Sequence, residues 1–297
     1  MKKLNLLTLI CALVMGLSLT SCLDSGDSGT SWEDARTVYV RSYLGQAFFV
    51  DAYGVRYYPS TESLNAFRQN NSDFDLNDYK MMNIYFNYHV EEDVATTKQA
   101  GSYVTPPSND IDLVAYMVIE MPEVLSVQST ADLANHETAP VIPLEQNTGY
   151  GFNAPQQLDE KTVLAYTGFY LANDADKLNS HKFRMVYVKD EITAESKDLT
   201  LYVCHNRGDD DKTDAYWATT CGFDMQRALE EFRDITGNDP EKIILKAKTS
   251  NSATTTLPSD YSEYDIDFQT FEEMYSNTDM YKQLQAAYPN VTLPFSF

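Results

Sequence analysis

Basic residues are scarce in this chain. Its 22 lysines and arginines face 44 acids, and the formal net charge is −22 at pH 7. A field of that sign repels phosphate backbones, which excludes nucleic acid as a partner class. Histidine is scarcer still, with four in 297 residues. There is no His-Glu-x-x-His, and His136-Glu137 lacks the second histidine. Gly-x-Ser-x-Gly and the phosphate loop are absent too, so the commoner hydrolase and nucleotide signatures are missing. Four cysteines occur without a Cys-x-x-Cys, which removes a thioredoxin-like role. Only one long apolar run is present, from Leu4 to Leu19, and the rest of the chain is read as a soluble body. That run falls short of the roughly 20 apolar residues a membrane helix needs.

What is there begins with an address. Lys2 and Lys3 precede the apolar run, and Leu19-Thr20-Ser21-Cys22 ends it. A positive start, a short greasy segment and small residues before a cysteine form the leader and lipobox of a bacterial lipoprotein. Residues 1–21 are therefore expected to be removed, and Cys22 to carry lipid. Each buried methylene contributes about 0.8 kcal/mol, so several acyl chains anchor stably where one does not. Residues 22–34 read as a flexible acidic tether, with Asp24 and Asp27 in a Ser- and Gly-rich setting. The expected location is the outer membrane, with the body displayed at the surface rather than facing the periplasm.

The body reads as all-β. Thr37–Val40, Phe48–Val50, Val55–Tyr58, Met82–Val90 and Leu113–Met121 are strand-like runs separated by turn signals at Leu44-Gly45, Gly54 and Pro59. Five strands suffice for a small barrel over residues 35–125. A second β-rich block follows over 126–269. Its clearest strands are Thr162–Tyr170, Lys182–Lys189, Leu199–Cys204, Ala215–Phe223, Lys242–Lys248 and Tyr264–Phe268. Helix is expected only near the C-terminus. Asp224 suits the N-cap of a helix over Met225–Thr236, with Ala228, Leu229, Phe232 and Ile235 on one face and Gly237 as its stop. A second helix is expected near Phe271–Ala287, within a tail over 270–297.

Leu199-Thr-Leu-Tyr-Val-Cys-His-Asn-Arg-Gly-Asp209, an aromatic strand, and then Cys221-Gly-Phe-Asp-Met225 resemble the second domain of the NigD-like lipoproteins of the Bacteroidetes. The resemblance covers roughly Val38 to Phe268. It implies an N-terminal OB-like barrel followed by a C-terminal β-sandwich, and it carries no established biochemical activity.

Several residues are candidate sites. Cys204 and Cys221 flank Gly208-Asp-Asp-Asp-Lys-Thr-Asp214. If their strands form a hairpin, a disulfide would close a loop of about 16 residues and contribute on the order of 3 kcal/mol. Two separate buried thiols are the alternative. Asp209, Asp210, Asp211 and Asp214 could supply oxygens to a cation, but the spacing departs from the EF-hand pattern, and a solvated loop tip is the simpler reading. Glu91-Glu92-Asp93 is treated the same way. His205 and Asn206 read as turn-fixing residues rather than catalytic ones. The 21 tyrosines, with Trp32 and Trp217, raise glycan binding without forming a visible platform. No catalytic residue and no cofactor is expected. The leading functional expectation is a non-catalytic binding or accessory lipoprotein for a peptide, a glycan or an envelope protein. Bacteriocin self-protection and a surface hydrolase are the alternatives.

Overall fold

The structure is a computed structural model, and it describes residues 30–90, 111–145 and 154–276. The leader, Cys22, the tether as far as residue 29, Glu91-Glu92-Asp93 and the tail beyond Ser276 lie outside the described residues. Among the described residues the chain divides into two units, 30–119 and 120–276. The break after Ile119 falls inside the stretch assigned to the barrel from sequence.

The first unit is one antiparallel sheet. Its strands are β1 (Thr30–Tyr43), β2 (Gln46–Asp51), β3 (Arg56–Tyr57), β4 (Met81–Val90) and β5 (Asp112–Ile119), in the order β3-β2-β1-β4-β5. Helix α1 (Thr61–Asn70) lies between β3 and β4. β1 takes two partners. Thr30 to Tyr39 pair with β4, and Val38 to Tyr43 pair with β2. A register shift at Tyr85/Phe86 breaks the β4–β5 ladder, the kind of irregularity that lets a sheet curl. The two edges then meet at one parallel bridge, Pro59 to Ile111. There the Ser60 amide donates to the Ile111 carbonyl, and the Ile111 amide donates to the Tyr58 carbonyl, both at 2.9 Å. Among the described residues the expected barrel is thus a curled sheet whose edges meet at one bridge. That agrees with the partly open OB architecture. Val38, Phe49, Tyr57, Ile84, Phe86 and Leu113 fill its interior, covered by Leu64 and Phe67 of α1.

The end of the expected tether is corrected. Residues 30–34 are strand, paired to β4 from Thr30↔Val90 onward. Helix is not confined to the C-terminus either. Ser60 caps α1 by accepting from the Ser63 amide. That helix escapes the sequence reading because Leu64 and Phe67 give it only a thin apolar face.

The second unit contains two sheets, as expected for a sandwich. One has the order β13-β12-β10-β9-β6 and the other β11-β8-β7. The larger holds β6 (Val124–Val127), β9 (Lys182–Val188), β10 (Asp198–Asn206), β12 (Lys242–Ala247) and β13 (Ser262–Asp267). The smaller holds β7 (Gln156–Asp159), β8 (Thr162–Leu171) and β11 (Ala215–Asp224). Helix α2 (Ala175–Leu178) precedes β9, α3 (Gln226–Thr236) follows β11, and α4 (Phe271–Ser276) follows β13. Val163, Ala165 and Phe223 meet Met185, Leu201 and Leu245 in a shared core that also takes Ala228, Leu229 and Phe232 from α3. Met225 occupies the cap position of α3, while the Asp224 carboxylate accepts from the Gln226 amide one residue further out. Gly237 ends the helix in the left-handed region, as expected. Ile235 does not join the buried face and is 40% exposed. β10 is buried on both faces because Leu133, Val186, Val188, Tyr202 and Cys204 form a second cluster on its far side.

The β1–β2 turn is strained. Tyr43 pairs with Gln46, leaving Leu44 and Gly45 as a two-residue loop with φ of 51° and 82°. Such a loop needs both residues in the left-handed region, where asparagine is tolerated and leucine costs roughly 1–2 kcal/mol. Leu44 is also 90% exposed, so packing returns nothing. Leu44→Asn is expected to stabilise the fold by about 1 kcal/mol, read as a higher urea midpoint at an unchanged slope. A lower midpoint would show that the leucine is held by contacts absent here.

Candidate functional site

The two cysteines do not form the expected bridge. Both are free and buried. Their strands are not a hairpin, because β10 pairs with β9 and β12 while β11 crosses to the smaller sheet and pairs with β8. Cys221 faces the shared core, and Cys204 faces the cluster on the opposite side of β10. A sheet therefore lies between the two thiols. Burial pushes Cys221 up to about 12 and pushes Cys204 higher still. Thiols so far from ionisation are poor nucleophiles.

The acidic loop does not gather its carboxylates around a cation. Among the described residues no group of three or more histidine, cysteine, aspartate or glutamate side chains could hold a metal ion. Asp209 pairs with Lys177 at 2.9 Å, and Asp211 and Asp214 are exposed. Asp210 turns inward and is 2% exposed. There its Oδ2 accepts from the Ala172 amide at 2.8 Å and meets His181 Nε2 at 3.0 Å, while Oδ1 accepts from the Lys212 amide. His181 Nδ1 meets His205 Nε2 at 2.8 Å, and His205 Nδ1 meets the Pro140 carbonyl at 3.1 Å. Phe169 and Phe183 pack on the imidazole rings.

This network is closed. Each of the four imidazole nitrogens already faces a protein atom, so no nitrogen remains to act on a ligand. Burial lowers His181, against the opposing pull of Asp210. It also pushes His205 down to about 3. Burial alone would raise Asp210, but the Ala172 amide, His181 and the Lys212 amide outweigh it and hold the carboxyl at about 2. Two neutral rings supply two N–H donors for three contacts. The Asp210 charge draws both toward itself, leaving the Pro140 contact without a proton on this assignment. The arrangement pins the loop after β10 to the start of β9, which is the turn-fixing role expected of His205. His181, which the sequence reading passed over, is its middle member. Its only signal was a histidine directly before a strand. Glu137 is likewise occupied, accepting from Tyr261 Oη at 2.7 Å and pairing with Lys248 at 2.9 Å.

The open feature lies in the first unit. Tyr39, Arg41 and Tyr43 alternate along β1 on the face away from the core, since Val38 and Val40 point inward. Arg41 stands opposite Phe48 on β2. The Arg41 guanidinium sits 4.9 Å from the Tyr39 ring centre and donates to the Val40 carbonyl. On the other side Arg56 lies 5.6 Å from the Phe48 ring, which is itself stacked on Tyr58 at 5.6 Å and 27°. Arg41, Tyr43 and Arg56 are exposed. Among the described residues neither arginine pairs with a carboxylate, a state shared with Arg68, Arg207 and Arg227, whereas Arg36, Arg184 and Arg233 do pair. In a chain with twice as many acids as bases, two guanidiniums resting on rings instead of acids form a distinct surface. The period-two spacing of Tyr39, Arg41 and Tyr43 was visible in the sequence. Their neighbours on β2 and β3 were not.

No family model and no curated protein matches the chain. Solved structures do. A candidate lipoprotein from Bacteroides fragilis shares 21% identity, with 80% of this chain and 99% of that one covered at a TM-score of 0.61. A candidate toxin-related protein from Parabacteroides distasonis gives 13% identity, 84% and 98% coverage and a TM-score of 0.48. A NigD-like immunity protein from Bacteroides caccae gives 12%, 78% and 96%, with a TM-score of 0.40. The first likeness is one of fold.

Two outcomes follow from the buried groups. In denaturant without reductant, the chain lacking its leader and Cys22 should react with two equivalents of a thiol reagent; zero would mean a bridge. Both histidines lie below 6.5 in the fold, so their stabilising effect is complete above 6.5 and is lost as pH falls toward about 3. Histidine NMR signals of His205 should stay those of a neutral ring down to about pH 5, and a midpoint near the unperturbed value of about 6.5 would contradict the burial account.

Proposed function

We propose that this chain is a non-catalytic binding lipoprotein of the outer membrane, anchored through lipid on Cys22, with its body displayed at the surface. The observation that carries the binding role is the contrast between the two polar constellations. The His181–His205–Asp210 network is buried, with every imidazole nitrogen facing a protein atom. The Arg41–Arg56 strip is exposed, and its cations rest on rings. A catalytic centre needs a group able to reach substrate and exchange a proton, and the buried network offers none. A recognition surface needs exposed aromatic and arginine side chains, the types enriched where partners bind tightly.

The anchor reading is supported by the lipobox, and no helix among the described residues is long and apolar enough to cross a membrane. The net charge of −22 argues against nucleic acid as the ligand. A peptide, a glycan or an envelope protein is the partner class in view.

Fractionation tests the anchor. The full chain should stay with membranes and be cut by protease added to intact cells, while Cys22→Ser should move to the soluble fraction. Retention of the serine variant in membranes would remove the anchor. The released Cys22→Ser protein should capture envelope material that the same protein carrying R41A and R56A does not. Equal capture by both would remove the strip as the binding face.

A further inference from the structure

We infer that the Arg41–Arg56 strip takes an extended acidic peptide, with carboxylates on the two guanidiniums and an apolar side chain against Tyr43 and Leu44. This rests on the binding reading above and adds the ligand class. Local charge comes first. The chain as a whole is acidic, so attraction for a carboxylate must come from the strip itself, where Arg41 and Arg56 are exposed and neither is paired with a carboxylate among the described residues. Both are held over rings, Arg41 on Tyr39 and Arg56 on Phe48. A guanidinium fixed against a ring loses little freedom on binding, and its planar fork matches a carboxylate.

Spacing comes second. Arg41 stands opposite Phe48 on β2, and Arg56 stands opposite Val50. The two arginines are therefore two strands apart and offset by two residues along them. Standard sheet dimensions put their Cα atoms roughly 12 Å apart. An extended peptide places same-face side chains four residues apart at about 13–14 Å, which matches that span.

The third observation is what the covered rings leave open beside the two arginines. Here the Phe48 ring already meets both Tyr58 and the Arg56 guanidinium, and the Tyr39 ring carries Arg41. What stays open is apolar, with Tyr43 71% and Leu44 90% exposed at the hairpin tip. Leu44 holds that place in a backbone region that disfavours it, with φ at 51°. Strain kept at an exposed apolar residue fits a contact residue better than a structural one.

The test uses the full-length Cys22→Ser protein and three defined probes: a peptide with glutamates at i and i+4 and a leucine at i+6, its glutamine analogue, and polygalacturonate. The glutamate peptide should bind at least tenfold more tightly than the glutamine one. Raising salt from 0.05 to 0.2 M should weaken it severalfold. R41A with R56A should cost tenfold or more with an unchanged melting curve. Leu44→Asn, expected to be more stable than the parent, should bind the peptide severalfold more weakly. Equal binding of the two peptides, or tighter binding of polygalacturonate, would overturn the peptide assignment. If the double arginine variant lost envelope capture while no acidic peptide bound, only the ligand class would fall. Undiminished capture would bring down the binding face itself.

Discussion

The first unit depends on one strand serving two partners. β1 runs from Thr30 to Tyr43, pairing with β4 along its first part and with β2 along its last, with Val38 and Tyr39 common to both. It joins the two halves of the sheet, which curls with the register shift at Tyr85/Phe86. The curl brings Pro59 to Ile111 at the edges and encloses the core around Phe49 and Phe86. The same alternation that sends Val38 and Val40 inward sends Tyr39, Arg41 and Tyr43 outward. Fold and candidate surface are thus two faces of one periodicity.

The second unit manages its polar groups in the opposite way. Burying two imidazoles and a carboxylate is costly unless each finds a partner. Here backbone amides, a backbone carbonyl and the groups themselves fill nearly every position. The result ties the loop after β10 to the start of β9. It leaves the acids that stay outside, Asp211 and Asp214, exposed. The first unit instead carries Arg41 and Arg56 exposed at its surface, each resting on a ring.

Most strands were legible because alternation along Met82–Val90 or the apolar run Leu199–Cys204 depends on the strand alone. Helix α3 was legible through its apolar face and Gly237. What depended on pairing was not. Cys204 and Cys221 looked like partners because consecutive strands commonly form hairpins, yet β11 leaves β10 for the other sheet. β6 and β7 are four residues each, too short for a period to declare itself. α1 shows only Leu64 and Phe67 in a polar stretch. Of the candidate surface, Tyr39, Arg41 and Tyr43 could be read from spacing. Placing Phe48, Arg56 and Tyr58 beside them needed the register of three strands. His205 and Asp210 stood close in sequence, but their link runs through His181, which lies 24 residues before His205.

Hydrogen exchange on the full-length protein, with and without a saturating acidic peptide, tests the central claim most directly. Protection is predicted to rise along Tyr39 to Phe48 and Arg56 to Tyr58, with the segment from Cys204 to Asp214 unchanged. Protection appearing in that second segment, or nowhere in the first unit, would contradict the account.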